Sequence, residues 1–105
     1  MSTAAASPPA YDLVHSAASS EAGPLVSLAE QALAARVTDG RLASLTLEIF
    51  ALPQKSQAIG ARLHIERETR TLVFAAVDIH DVESEMRLAT VQALLRRNAR
   101  QANGG

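Results

Sequence analysis

The sequence contains no cysteine, and this absence removes several kinds of chemistry at once. Disulfide bonds, thiolate metal sites and cysteine nucleophiles are all excluded. Aromatic residues make up only 3% of the 105 residues, whereas apolar residues make up 48%, so the core must be built from Leu, Val, Ile and Ala. The chain also lacks a glycine-rich phosphate loop, a serine nucleophile elbow and a dinucleotide-binding fingerprint.

An excess of basic charge and a long apolar run are missing as well. Ten basic and 11 acidic residues give a formal net charge of −1, which is unlike a nucleic-acid-binding protein. No apolar run approaches the roughly 20 residues that a membrane span needs. The first ten residues contain neither a basic nor an apolar segment of a signal peptide. We therefore expect a cytoplasmic protein without nucleic-acid or membrane partners.

The length fits a single domain. Residues 1–10 are rich in Ala, Ser and Pro and are predicted to be a disordered lead, and residues 99–105 are predicted to be a flexible tail. Residues 11–98 form the predicted domain, with no linker and no internal repeat. A domain of this size buries a limited core, so oligomerisation would help to stabilise it.

One helix is predicted after a short extended segment at residues 11–15. Gly23 is an acceptable N-cap, and Pro24 suits the first helical position. Apolar side chains then follow at helical spacing as far as Val37. They are Leu25, Leu28, Ala29, Ala32 and Leu33.

After Gly40 the apolar period changes from about 3.6 residues to 2, which indicates β-strands. Four strands are predicted, over residues 44–51, 61–66, 72–80 and 85–96. The end of the last segment could equally be helical. The pattern favours an α+β fold in which the helix lies on the concave face of an antiparallel meander.

A two-residue turn at Thr69 and Arg70 would fix which residues share a sheet face. Leu63 and Ile65 would then lie on the inner face with Leu72, Phe74 and Ala76. The outer face would carry Val73, Ala75, Val77 and Ile79. Exposing such a face costs roughly 25 cal/mol per Å², so we expect a second subunit to cover it. A shift of one residue would exchange the two faces.

The order of elements from Ser20 to Arg97 resembles the hotdog-fold thioesterase superfamily, most closely the phenylacetate-pathway and 4-hydroxybenzoyl-CoA thioesterases. In that family a His-Gly-Gly loop leads into the helix, and an acid follows about two turns later. The matching segment here runs from Glu21 to Glu30 and reads EAGPLVSLAE. The resemblance implies a hotdog fold, an antiparallel curved sheet wrapped around one central helix. It also implies a homodimer or homotetramer that acts on acyl-CoA or a related thioester, without cofactor or metal.

The resemblance places the family's catalytic acid at Glu30, as a general base on water or as a nucleophile. Backbone N–H groups of Ala22, Gly23 or Leu25 would bind the oxyanion. The residues alone favour an ordinary solvated carboxylate on an amphipathic helix for Glu30, and the resemblance brings the two interpretations level. Glu21 replaces the family's His, and its carboxylate either opposes an oxyanion or interacts with the helix dipole.

Arg62, Arg67 and Arg70 are the candidate substrate-binding residues, because the planar guanidinium group suits the phosphates of a CoA-type ligand. The alternative is surface charge that neighbouring acids neutralise. Asp78 and His80 share a strand face, but one His and two acids do not predict a metal site.

Three functions remain open at this level. The first is hydrolysis of an acyl-thioester at a dimer interface. The second is a non-catalytic hotdog protein that binds an acyl or aromatic ligand or serves only in assembly. The third is a different α+β fold whose last strand docks another protein.

Overall fold

The computed structural model describes residues 11–98, so the predicted lead and tail lie outside the described residues. The elements are β1 (Leu13–Ser16), α1 (Gly23–Arg36), β2 (Gly40–Ile49), β3 (Ala58–Glu68), β4 (Leu72–Asp81) and β5 (Arg87–Arg97). The predicted order of a short strand, a helix and four long strands is confirmed. The last segment is a strand to its end and not partly helical.

The five strands form one antiparallel sheet in the order β1-β3-β4-β5-β2. Strands β3, β4 and β5 pair in sequence order, as the predicted meander requires. The prediction was wrong for β2, which pairs with β5 and not with β3. Strand β1 pairs with β3 at one edge, and β2 pairs with β5 at the other. A curved antiparallel sheet with a single helix against it confirms the predicted fold class.

The helix begins one residue earlier than predicted. Ala22 is the N-cap, so Gly23 and Pro24 are the first and second helical residues. Pro24 is tolerated there because first-turn N–H groups have no partner within a helix. The apolar stripe is buried as predicted, and it packs over β1, β3 and β4. Among residues 11–98, no helix has the length and hydropathy that a membrane crossing requires.

The β3–β4 hairpin differs from the prediction in two places. The turn lies at Arg70 and Thr71, because the Thr69 N–H donates to the Leu72 carbonyl oxygen at 2.8 Å. The register then shifts between Ile65 and Arg67, which is a β-bulge. Together the two changes move the register by one residue, so that Leu63 lies opposite Val77.

This shift exchanges the two faces of β4, and the predicted assignment of faces was wrong. The residues expected outside are the buried ones that pack in the same core as the helix: Val73, Ala75, Val77 and Ile79. The outer face carries mainly polar side chains, such as Arg62, Asp78 and His80. The expectation that a second subunit covers an apolar outer face therefore loses its basis.

Exposed apolar surface is found instead at the β2 edge of the sheet. We call the exposed side chains in and after β2 the β2 edge patch: Leu42 (41% exposed), Ile49 (39%), Phe50 (51%) and Leu52 (51%). The helix lies toward the other edge, over β1, β3 and β4, and so leaves Leu42 and Ile49 of β2 exposed.

Candidate functional site

The start of the helix opens onto a cavity of about 340 Å³. Its wall is formed by the first residues of α1, the end of β1, the loop between them and one residue of β3: His15, Ser16, Ala18, Ser19, Gly23, Pro24, Ser27 and Ile59. Among these, His15 is a ring that sequence reasoning left unused. His15 lies opposite buried Ile59 and shares the half-buried face of β1 with Leu13, but the residues Leu13–Ser16 do not alternate between apolar and polar, so no local sequence pattern marks it.

Two backbone donors at this end of the helix are unused. The N–H groups of Leu25 and Val26 both donate to the Ala22 carbonyl oxygen, at 3.0 and 3.2 Å. The predicted contribution of Leu25 to an oxyanion site is therefore wrong. Within residues 11–98, the N–H groups of Ala22 and Gly23 have no hydrogen-bond acceptor. These two donors can bind a developing negative charge, because the helix dipole favours an anion there.

Glu30 lies elsewhere, on the flank of the helix that faces β2. It is exposed and lines a groove of about 120 Å³ together with Leu33, Ala34, Gly40, Leu42 and Leu95. Among the described residues, its carboxylate makes no hydrogen bond or ion pair. Gly40 keeps the groove open at the start of β2, since a Cβ there would lie 2.7 Å from the Val37 side chain.

The structure separates the candidate base from the candidate oxyanion donors. Glu30 follows Gly23 by seven residues, which at 1.5 Å per residue is about 10 Å along the helix axis. Glu30 also does not line the cavity at the helix start. A single carbonyl group cannot contact both within one chain.

Glu21 is exposed and immediately precedes the two free donors. Its own N–H donates to the Ser19 hydroxyl at 3.3 Å, but its carboxylate has no partner in the described part of the chain. An unpaired negative charge beside Ala22 opposes an oxyanion bound there.

The three candidate arginines are not gathered around Glu30. Arg62 is half-buried on the outer face, with its Cζ atom 4.7 Å from the centroid of the Tyr11 ring. Arg67 is exposed above Phe74 at 5.7 Å, and Arg70 lies in the β3–β4 turn. None of them lines either groove beside the helix. Their binding of a CoA-type ligand stays a prediction.

A metal site is equally unsupported in this part of the chain. Over residues 11–98, no three His, Asp or Glu side chains gather closely enough to hold an ion. Asp78 instead accepts from the Thr90 hydroxyl at 3.0 Å and pairs with Arg87 at 3.6 Å.

No protein-family model and no curated protein matches the sequence. Among solved structures, a hypothetical thioesterase from Streptococcus pneumoniae TIGR4 with coenzyme A is similar, at 15% identity and a TM-score of 0.69. The match covers 74% of this chain and 63% of that one. The PaaI protein of the E. coli phenylacetic acid degradation operon has 18% identity and a TM-score of 0.68, over 77% and 61% of the two chains.

A mammalian structure matches as well. Thioesterase superfamily member 2 from Mus musculus has 19% identity and a TM-score of 0.65, over 74% of this chain and 66% of that one. This chain thus spans a little under two thirds of the length of these chains. The shared topology excludes the alternative of a different α+β fold. The chain has the hotdog fold of structures in the thioesterase superfamily.

Proposed function

We propose that the protein is an acyl-thioester hydrolase of the acyl-CoA thioesterase type, and that it acts as a homodimer. The observation that carries the proposal is the position of Glu30, whose unpartnered carboxylate lines a groove open toward the β2 edge. One structural neighbour contains coenzyme A, which supports a CoA thioester as the substrate class.

The separation of about 10 Å along the helix argues for two copies. Glu30 of one copy and the Ala22 and Gly23 N–H groups of the other would act on the same thioester. Such a site is completed only by association, as expected for a two-fold dimer in which each surface meets its own counterpart.

The β2 edge is the surface that suits a second copy. Strand β2 is paired on one side only, so its other side offers backbone hydrogen bonds to another strand. The central run Ser44–Leu47 has no charged side chain, so antiparallel pairing with itself brings no like charges together. Pairing there also covers part of the exposed β2 edge patch.

The chemistry follows from these groups. Glu30 accepts a proton from water, and the oxygen of that water attacks the thioester carbon. The Ala22 and Gly23 N–H groups stabilise the oxyanion. Collapse of the intermediate breaks the C–S bond, and the leaving thiolate takes the proton that Glu30 accepted from water, which restores the Glu30 carboxylate. The products are a carboxylic acid and a free thiol. Direct attack by the Glu30 carboxylate is the other route to the same products.

The activity is tested with a panel of acyl-CoA thioesters and detection of the released thiol. Glu30→Gln should lower hydrolysis about 100-fold or more, the scale of a lost general base. Glu66→Gln, an exposed glutamate of β3, is the matched control and should not change it. Glu21→Gln should raise the rate, because it removes the charge that opposes the oxyanion. No turnover across the panel contradicts the proposal.

The dimer is tested by sedimentation equilibrium. We expect twice the chain mass of 11.1 kDa. The double variant Ile49→Lys with Phe50→Lys should give the single-chain mass. Both positions are exposed in one copy, so a lysine fits there, but pairing would bury the added positive charges between the two copies. Val14→Lys, on the opposite edge strand and 47% exposed, is the control. A monomeric wild-type protein contradicts this part. A homotetramer would add a second contact between dimers and stays a prediction.

A second function is favoured by one observation, the unpaired Glu21 carboxylate beside the free N–H groups. This second function is that of a non-catalytic hotdog protein, which binds an acyl or aromatic ligand or serves only in assembly. It predicts that an acyl-CoA raises the melting temperature without any release of thiol. Efficient hydrolysis would exclude it.

A further inference from the structure

Three buried polar atoms on the outer face of the sheet lack a hydrogen-bond partner. They are the Tyr11 hydroxyl, Arg62 Nε and His80 Nδ1, and they are the buried, unpartnered side-chain atoms found among residues 11–98. The three residues come from the approach to β1, from β3 and from β4, yet they lie side by side. We call them the outer-face cluster.

The cluster is assembled around Gly60 of β3. The Tyr11 ring lies on Gly60 so closely that a Cβ there would be 2.7 Å from two ring carbons. Arg62 stands two residues further along the same strand face, with Cζ 4.7 Å from the ring centroid. His80 is the β4 partner of Gly60, and its ring centroid lies 6.1 Å from that of Tyr11. The side chains of Arg62 and His80 therefore both adjoin the Tyr11 ring.

Arg62 gives the cluster a positive charge, and the carboxylates of Asp78 and Glu85 act electrostatically on His80 from nearby. Asp78 lies opposite Arg62 in the sheet register, but its carboxylate is directed at Thr90 and Arg87. Arg62 makes no ion pair within the described part of the chain. Its guanidinium packs on the Tyr11 ring instead.

Native proteins rarely leave buried polar atoms unpaired, because each costs its full desolvation free energy. Arg62 Nε–H and the Tyr11 O–H are donors, and His80 can present an Nδ1–H. One acceptor with several lone pairs and a negative charge matches all three. We propose that the outer-face cluster binds a small oxyanion, a phosphate or carboxylate group, between Tyr11, Arg62 and His80.

The environment of His80 is consistent with such a ligand. The pKa of His80 lies below its usual value, first because of burial and then because of the positive charge of Arg62, with a smaller effect of Arg87 in the same direction. The negative charges of Asp78 and Glu85 act in the opposite direction. The Tyr11 ring also adjoins the His80 ring. A bound anion would favour the imidazolium form, so it should bind more tightly as the pH falls toward the His80 pKa.

The site is separate from the helix grooves. It lies on the opposite face of the sheet, and β3 is three strand spacings, about 14 Å, from β2. The inference does not depend on thioester hydrolysis or on the dimer.

The test is a titration of the full chain with inorganic phosphate and, separately, with acetate at constant ionic strength. The imidazole signals of His80, His15 and His64 are followed together by NMR. Saturable movement of the His80 signals alone is expected with at least one anion, and the tighter anion identifies the ligand class. The proposal is overturned if neither anion moves His80, or if all three histidines move alike.

Variants locate the donors. Arg62→Gln should weaken binding about tenfold or more, and Tyr11→Phe, which keeps the ring over Gly60, about fivefold. Arg96→Gln, an exposed arginine of β5, is the control and should leave binding unchanged. Unaltered His15 and His64 signals show that each variant is folded. Equal losses for Arg62→Gln and Arg96→Gln would mean nonspecific screening and would overturn the assignment.

Discussion

Replacing Gly60 by Ala tests whether the Tyr11 ring is held against the sheet. Gly60 is buried in β3, and it does not have the left-handed backbone conformation that only glycine adopts readily. A Cβ there meets Cγ and Cδ1 of the Tyr11 ring at 2.7 Å, a distance that real Cβ contacts do not show. The ring must therefore move away from the strand, since the backbone of β3 is paired on both sides.

The magnitude follows from what the displaced ring loses. A fully buried ring of this size contributes about 1.5–3 kcal/mol, so half-buried Tyr11 loses about 1 kcal/mol. Separation from the Arg62 guanidinium removes about another 0.5–1 kcal/mol. Alanine restricts the unfolded chain more than glycine does, which raises the free energy of unfolding by about 0.5–1 kcal/mol. The net cost of Gly60→Ala is about 1 kcal/mol, a fall of about 4–8 °C in melting temperature for a domain of this size.

The decisive assay is a double-mutant cycle by urea and thermal denaturation at fixed protein concentration. In a Tyr11→Ala background the clash is absent, so Gly60→Ala should change sign and stabilise by about 0.5–1 kcal/mol. The coupling between the two sites is then about 2 kcal/mol, well above the usual error of additivity. An equal cost of Gly60→Ala in both backgrounds would refute the reasoning, because the strain would then lie in the strand.

Three further predictions concern the sheet and its turn. Val77→Ala should lower the free energy of unfolding by about 2–3 kcal/mol, because it removes two buried methyl groups and leaves a cavity. Val14→Ala, at an exposed position, should lower it by less than about 0.5 kcal/mol. Similar urea midpoints for the two variants would contradict the observed register. Hydrogen bonds from Ser84 and then Gln57 lower the pKa of Asp81, so its contribution is complete above the unfolded pKa of about 3.9 and is lost as the pH falls toward the folded value. Asp81→Asn should therefore destabilise the protein at pH 7, and the difference should shrink below pH 4; a difference in unfolding free energy that is constant with pH would contradict this. Glu85 has a φ of 64°, in the left-handed region that glycine adopts without strain. Glu85→Gly should therefore stabilise the protein by about 0.5–1 kcal/mol in thermal denaturation. A loss of stability would show that the Glu85 side chain contributes more than the backbone strain costs.

The sequence predicted the elements well because their signals are local. The stripe of five apolar residues marks the helix, and the change of period after Gly40 marks the strands. Glu30 follows Ala29 of that stripe directly along the chain, and its carboxylate lines a groove at the flank of the helix. Whether that carboxylate acts on a thioester remains a proposal.

The register of β4 could not be predicted, because it depends on features that leave no local pattern. The bulge between Ile65 and Arg67 adds one residue to β3, and the turn lies one residue later than the Thr69 and Arg70 pair suggests. Both the bulge and the position of the turn depend on how β3 and β4 pack along their whole length. The outer-face cluster is similarly invisible, since Tyr11, Arg62 and His80 meet only when β1, β3 and β4 are adjacent. A glycine inside a strand signals a close approach, but the predicted strand began only at residue 61 and so left out Gly60, which lies inside β3.

Simple dimensions explain why an apolar strip is left at β2. A helix is about 10 Å wide and neighbouring strands are about 4.8 Å apart, so one helix covers two or three strands of a five-stranded sheet. The helix lies over β1, β3 and β4, and Leu42, Leu45 and Leu47 of β2 are only partly covered. In the proposed homodimer two such strips meet between two helices, each with a Glu30 on its flank. The dimer interface would then form an apolar groove about two strands wide, with a Glu30 carboxylate on each side. In the proposed homodimer, that shape would suit an acyl chain whose polar thioester reaches a Glu30 carboxylate, so the acyl site would belong to neither copy alone.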